Sequence, residues 1–387
     1  MKLLPFNVWL LMLVGSIAMM AAPMVVFSGG LIGAALAPDS SLATLPVAIM
    51  VVGTAVAAVP VTFLMQSIGR KLSFLLGSLV SFCGALLSAY SVNEQLFWGF
   101  CSGIFLLGAG LAFVQQYRFA AMESVAPDDM ARAAARVLLG GLIAAYAGPE
   151  ISLRSKELFS VHYVGGFVIL AMLYLVCAML LLFYKSNAMI VTEERGEGRS
   201  LVEIASHPVF WTAVLSAAVG YAVMSFVMTA TPMSMHITMG HSLEDTKWVI
   251  QSHIMAMFIP SFFSGWLISR FGTGNIMLAG VAAFLLCIVV AFVDQALMNY
   301  WLALVLLGVG WNFLFVGGTS LLPQSYRKGE QFKAQAFNEF FVFGFQAVAS
   351  LSSGWVLYTL GWQSLLLICI PLLVVVLFSI VLWRRAA

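Results

Sequence analysis

Apolar runs of about twenty residues or more, separated by short polar breaks, repeat along the whole chain. Twelve such runs cover 7–36, 42–66, 72–91, 94–122, 131–155, 162–184, 207–236, 245–269, 274–295, 298–322, 332–357 and 362–383. A helix needs about 20 apolar residues to cross the hydrocarbon of a bilayer, and the longer runs allow tilt. The pattern predicts an all-α membrane protein with twelve transmembrane helices. The start, from Lys2 through the alanines before Pro23, has the look of a signal peptide. Its apolar character continues to Leu36 and eleven more runs follow, so it is read as an uncleaved first span.

The polar breaks fix the organisation. The longest, Lys185 to His207, contains VTEERGEGRS and divides six spans from six. It is read as a solvated linker, 185–206, between a half at 1–184 and a half at 207–387, with a short amphipathic segment in SLVEIASHP. The halves repeat. Aligning Gly69 of FLMQSIGRK with Gly272 of GWLISRFGTG gives an offset of 203, and aligning Arg132 with Lys333 gives 201. Agreement within two residues argues for a duplicated six-span unit. With the N-terminus placed in the cytoplasm, 15 of the 18 Lys and Arg residues fall on the inner side and only Arg154, Lys156 and Lys247 outside. That asymmetry orients the chain with both termini cytoplasmic.

Composition agrees. The chain is 62% hydrophobic and 9% charged, with a mean hydropathy of +1.02. No Walker loop, Gly-rich dinucleotide turn or Ser–His–Asp arrangement is present. The expectation is a transporter rather than an enzyme, driven by an ion or substrate gradient, with no resident cofactor. The five cysteines, Cys83, Cys101, Cys177, Cys287 and Cys369, are scattered without a CxxC and read as small buried hydrophobes.

Candidate chemistry concentrates in one hairpin. Met224 and Met228 stand i, i+4 in span 7, and His253 and Met257 stand i, i+4 in span 8, which puts each pair on one helix face. The pairs are symmetric about the Gly240–His241 turn, so arms of equal rise would bring Met228 level with His253 and Met224 level with Met257. Three thioethers and an imidazole form a soft, neutral donor set that suits Cu(I) and fits Mg, Ca or Mn poorly. Methionine is also a common filler of apolar helices, at 21 residues here. An intramembrane histidine is the less ordinary feature, because polar groups in lipid are costly. Met233, Met235, His236, Met239 and His241 lie near the turn and read either as an entry site or as interfacial filler.

The loops resemble the signature of the major facilitator superfamily. Gly69, Arg70 and Lys71 match its pattern, with Gln66 where Asp is expected and Ser67 where Arg is expected. The second half keeps Gly265, Leu267, Arg270 and Gly272, with Ser269 at the Asp position. The resemblance implies that fold, with two pseudo-symmetric six-helix halves. The stretch VMTATPMSMHITMGH followed by QSHIMAMFIPSFFSG is similar to that of the CcoA-like (CalT-type) copper importers, a bacterial branch of the superfamily. It implies import of copper, free or chelated, across the bacterial inner membrane for assembly of cbb3-type cytochrome oxidases, by a monomer with the bilayer and copper as partners and no nucleic acid.

Two other readings stand beside that one. A proton-coupled exporter of a small organic compound would use Glu150, which follows Gly148–Pro149 in span 5, and Glu339 in span 11 for proton coupling. Glu150 has a structural alternative, pairing with Arg154, and Glu339 has another in an internal polar network. A copper-holding sensor or assembly factor is the third reading. Arg118 and Glu123 are expected to pair, and Asn312 and Asn338 to form interhelical hydrogen bonds.

Overall fold

The polar breaks between the apolar runs become helix ends. The computed structural model describes residues 4–125, 130–185, 199–327 and 330–386. Linker residues 186–198 and the Arg132 and Lys333 side chains lie outside the described ones. In chain order the helices are α1 Phe6–Ala18, α2 Ala21–Leu36, α3 Leu45–Asn93, α4 Phe97–Val114, α5 Tyr117–Met122, α6 Met130–Arg154 and α7 Val164–Leu181. They continue as α8 Leu201–Ala205, α9 Pro208–Met233, α10 Leu243–Phe258, α11 Ser261–Phe271, α12 Thr273–Val293, α13 Leu297–Leu321 and α14 Gln331–Ala386. No strand occurs among the described residues.

Twelve spans can be followed through these helices. Span 1 is broken at Met19–Met20 into α1 and α2, and span 8 is broken at Ile259–Pro260 into α10 and α11. Spans 2 and 3 run together as α3, and spans 11 and 12 as α14. Each of these long helices is interrupted by one glycine, Gly69 with φ 79° and Gly361 with φ 80°. Gly272, which aligns with Gly69 in the repeat, separates α11 from α12 with φ 80°. A side chain is strained at such a φ, and glycine is not. Among the described residues, nine helical stretches are long and apolar enough to cross a membrane, the last of them, Phe337–Arg385, holding two predicted spans. Spans 5 and 8 fall outside that set. The first carries charges along α6, and the second is broken and carries Glu244, Asp245, Lys247 and His253.

The helices gather into two units. One takes Met1–Ile190 together with Ser242–Gln251, and the other takes Val191–His241 together with Ser252–Ala387. In the first, α3 and α4 pack through small residues. A Cβ on Gly103 would lie 2.7 Å from the Ser88 nitrogen, and one on Gly84 would lie 2.8 Å from the Gly103 carbonyl oxygen. Such close approach lets dispersion and backbone contacts hold helices where no hydrophobic drive exists. Tyr174, fully buried, donates to the Ala18 carbonyl at 3.0 Å, satisfying a helix end at the break in span 1.

The expected Arg118–Glu123 pair does not form. Glu123 takes a two-pronged bond from Arg70, with Nε at 2.6 Å, while the Arg118 guanidinium sits 4.7 Å over the Phe119 ring. Arg70 follows the Gly69 bend, which turns its fork toward Glu123, and a fork meeting a carboxylate is the stronger arrangement. Glu123 thus supplies a carboxylate at a loop whose own Asp position is Gln66. Cys83 is also unlike the reading made of it, since it is exposed while the other four cysteines are buried, all five as free thiols.

In the second unit the segment SLVEIA folds as α8, closed by a Ser200–Glu203 capping box. Arg199, just before it, grips Glu330. Its Nη2 is 2.8 Å from Oε2 and its backbone N–H 2.7 Å from Oε1, while the Arg327 N–H adds a bond at 2.8 Å. The Arg199 guanidinium, with the Arg327 N–H second, pushes the Glu330 carboxyl down to about 2. A depressed carboxyl stabilises the fold above its ordinary value near 4.5 and loses that contribution as pH falls toward 2. Glu330→Gln is therefore expected to lower the unfolding temperature in detergent at pH 7, and the gap from the native protein should narrow by pH 3. A gap independent of pH would contradict this assignment.

Candidate functional site

Met224 and Met228 lie on α9 as the spacing predicts. Met224 is 2% exposed and Met228 half-buried. The Ser225 hydroxyl is 3.9 Å from the Met224 sulfur. One turn earlier, Tyr221 meets Trp311 of α13 edge-on at 5.1 Å between centroids.

His253 is fully buried on α10. Its Nδ1 lies 2.7 Å from the Leu304 carbonyl of α13. A carbonyl oxygen only accepts, so Nδ1 holds the proton and donates it, which leaves the Nε2 lone pair free in the neutral ring. Nε2 is buried and has no hydrogen-bond partner. Buried polar atoms are paired in the great majority of cases, so an orphan calls for a cause. A ring nitrogen fixed by a backbone carbonyl, with the other nitrogen bare, is the arrangement of a metal-ligating histidine.

The same helix holds the rest of span 8. Gly308, one turn beyond Leu304, lets α10 come close. A Cβ there would stand 2.6 Å from the His253 carbonyl oxygen and 3.0 Å from the Met257 nitrogen. Asn312, a further turn on, donates to the Met257 carbonyl at 2.8 Å and to the Ser261 hydroxyl at 2.5 Å. Met257 is 8% exposed. Trp311 links the two arms, touching Tyr221 on α9 and Phe258 on α10, the latter at 6.4 Å, and stacking on Phe315 at 5.1 Å. Sequence spacing chose the four candidate ligands. It did not show Leu304, Gly308 or Trp311, whose part depends on packing.

The premise of equal rise along both arms does not hold above Met228. Past Met233 the chain winds into a π-helix, Ser234–Thr238, whose wider i→i+5 turn shifts the register. What the two arms share is the helix behind them, α13. The residues near the turn are not a common open mouth either. Met235 is fully buried and Met233 half-buried, while Met239 is 45% exposed. His236 Nδ1 is 2.7 Å from the His241 carbonyl, and His241 Nε2 is 2.9 Å from the Gln295 carbonyl. Both imidazoles thus tie the turn together. Among the described residues no three His, Cys, Asp or Glu side chains gather as a metal site, so a metal held here would need thioether sulfur.

Glu150 pairs with Arg154 at 2.6 Å, as the structural alternative had it, and also with Lys247 at 2.8 Å. Lys247 in turn meets Glu244 at 2.7 Å. The cluster borders a cavity of about 520 Å³ with Tyr146, Ser155 and Leu158. One turn nearer His253 than Lys247 sits the Gln251 side chain, which donates to the Tyr146 carbonyl at 2.8 Å. Glu339 is exposed on α14. A second cavity of about 550 Å³ is lined by Phe226, Phe341, Phe345, Val348 and Cys369; it offers no charged group.

A model described as the Major Facilitator Superfamily matches residues 8–257 and 221–387. The chain belongs to that superfamily. It is thus a secondary transporter of the superfamily's type, with the membrane-spanning, all-helical fold that type carries. The transporter is 34% identical over 384 residues to the riboflavin transporter RfnT of Brucella anthropi, covering 97% of this chain and 95% of that one. It is 28% identical to the uncharacterised transporter YddS of Bacillus subtilis, over 80% and 76% of the two chains. Among solved structures, a bacterial homolog of the human lysosomal transporter Spinster superposes with a TM-score of 0.71 at 13% identity, covering 98% of this chain and 96% of that one; this likeness concerns the fold. The relative with a named cargo carries a vitamin. The expected copper-importing branch is therefore not supported by these relatives and rests on the side chains alone.

Gly308 gives the sharpest local test of the packing behind His253. Gly308→Leu is expected to force α10 off α13 and cost about 1–3 kcal/mol, as overpacking of a tight contact does. Thermal unfolding in detergent would show the loss, and an unchanged unfolding temperature would mean the helices are not in contact there.

Proposed function

We propose that the transporter imports copper as Cu(I), with Met224, Met228, His253 and Met257 as the cargo ligands. The observation that carries the proposal is the bare, buried Nε2 of His253, held toward bonding by the Leu304 carbonyl. Thioether sulfur and a neutral imidazole take a soft cation out of water without the permanence of thiolate ligation. The two six-helix halves move about the site to expose it on one side and then the other. The protein sits in the bacterial inner membrane with both termini in the cytoplasm. Copper then enters from the end of the hairpin near Gly240, passing Met239 and the tied His236 and His241, and leaves toward the cytoplasm to supply cbb3-type oxidase assembly.

The likeness to the riboflavin transporter favours a second reading. The cargo would then be a planar aromatic vitamin, taken up against aromatic surfaces such as Tyr221, Trp311 and Phe315. The His253–Leu304 bond would in that case only order the helices.

Proteoliposomes separate the two. Cu(I) flux, held reduced and competed with Ag(I), is expected to be saturable. His253→Ala is expected to cut it at least about tenfold, the scale on which disturbing a ligand sphere acts. Flux of riboflavin, unaffected by Met224→Leu and Met257→Leu, together with copper flux no greater than in empty vesicles, would replace the copper reading with the second.

A further inference from the structure

Span 8 does not run as one helix. Pro260 has no N–H to donate into the ladder and its ring opposes continuation, so α10 ends at Phe258 and α11 begins at Ser261. The last-turn carbonyls of α10 then need donors from elsewhere. One comes from Asn312, which is fully buried. Its amide nitrogen reaches both sides of the break, to the Met257 carbonyl at 2.8 Å and to the Ser261 hydroxyl at 2.5 Å. An amide nitrogen has two hydrogens to give, and the two acceptors use both. The contacts between the two helices keep one register. Leu304, Gly308 and Asn312 of α13 meet His253 and Met257 of α10 and Ser261 of α11 in turn, each step four residues on both sides.

We infer that Asn312 is a positioning residue for the cargo site. It fixes the height of the Met257 sulfur relative to His253 Nε2 by pinning the end of α10 at the break. This rests on the proposal that His253 and Met257 bind the cargo. Asn312 touches the Met257 backbone, so it acts through Met257. A metal bond tolerates little displacement, and a thioether on a frayed helix end would reach the metal less often. The break also gives span 8 a joint, and Asn312 ties both half-helices to α13 at that joint.

The experiment measures Cu(I) flux in proteoliposomes as a saturation curve, with competition by Ag(I), which prefers longer bonds. Asn312→Leu and the gentler Asn312→Ser are each combined with Met257→Leu. Asn312→Leu is expected to raise KM about tenfold with the maximal rate within a factor of three, and to change the ratio of Ag(I) to Cu(I) inhibition. In the Met257→Leu background the same change at 312 is expected to alter KM by less than twofold, because the group it positions is gone. A purely structural role would lower both backgrounds alike, and that result overturns the inference. If Asn312→Leu yields no folded protein, Asn312→Ser carries the same cycle. An unchanged KM in both variants, with copper flux in the native protein, overturns the positioning role and leaves the cargo assignment in place. No copper flux in the native protein overturns the cargo assignment itself.

Discussion

The bond from His253 to the Leu304 carbonyl sets the terms for the rest of the second unit. An imidazole is costly in an apolar interior, and one ring nitrogen satisfied by a backbone oxygen recovers only part of that cost. The other nitrogen remains bare. For the bond to form, α10 must lie against α13 at backbone distance, and Gly308 is the residue that permits it. Met257 then falls one turn further along the same contact. The broken end of the helix is closed by Asn312. A single hydrogen bond, a missing Cβ and one amide therefore fix where residues 253–261 can sit within the second unit.

The first unit shows another use of charge. Arg70 and Glu123 pair next to the bend at Gly69. At the opposite end of the helices, Glu150 is shared by Arg154 and Lys247. Of these side chains Arg154 is exposed, and its pairing contributes little to stability; the others are partly or largely covered. The value of these pairs lies in being few and specific, at two ends of otherwise apolar helices. Such pairs can be made and broken while the apolar packing stays as it is. A transporter that must change shape needs contacts of that strength. The two fully buried tyrosines Tyr117 and Tyr174, by contrast, sit deep among the helices of the first unit, where packing is expected to persist.

Much of this was legible in the sequence, for identifiable reasons. Twelve apolar runs read directly as helices because a bilayer allows few alternatives to an internally bonded backbone. Gly69 and Gly272, aligned by loop pattern alone, prove to share one unusual backbone conformation. Glu150 with Arg154 was readable because both lie on one helix face. The partners from elsewhere in the chain were not readable: Arg70 for Glu123, Lys247 for Glu150, Leu304 for His253. Each depends on which helix lies beside which, and composition is silent on that. The π-helix at Ser234–Thr238 was likewise hidden, since its residues would serve an ordinary helix as well. Met224, Met228, His253 and Met257 were picked out by spacing, but only the unpaired Nε2 separates His253 from a histidine that merely packs.

The central claim is that this nitrogen and the neighbouring thioethers bind the cargo together. X-ray absorption at the copper edge, on purified protein loaded with one equivalent of Cu(I) under reducing conditions, tests it most directly. The account predicts a mixed shell of imidazole nitrogen and two or three thioether sulfurs, with the nitrogen lost in His253→Ala. A spectrum with no sulfur scattering, or one unchanged by that substitution, would contradict it.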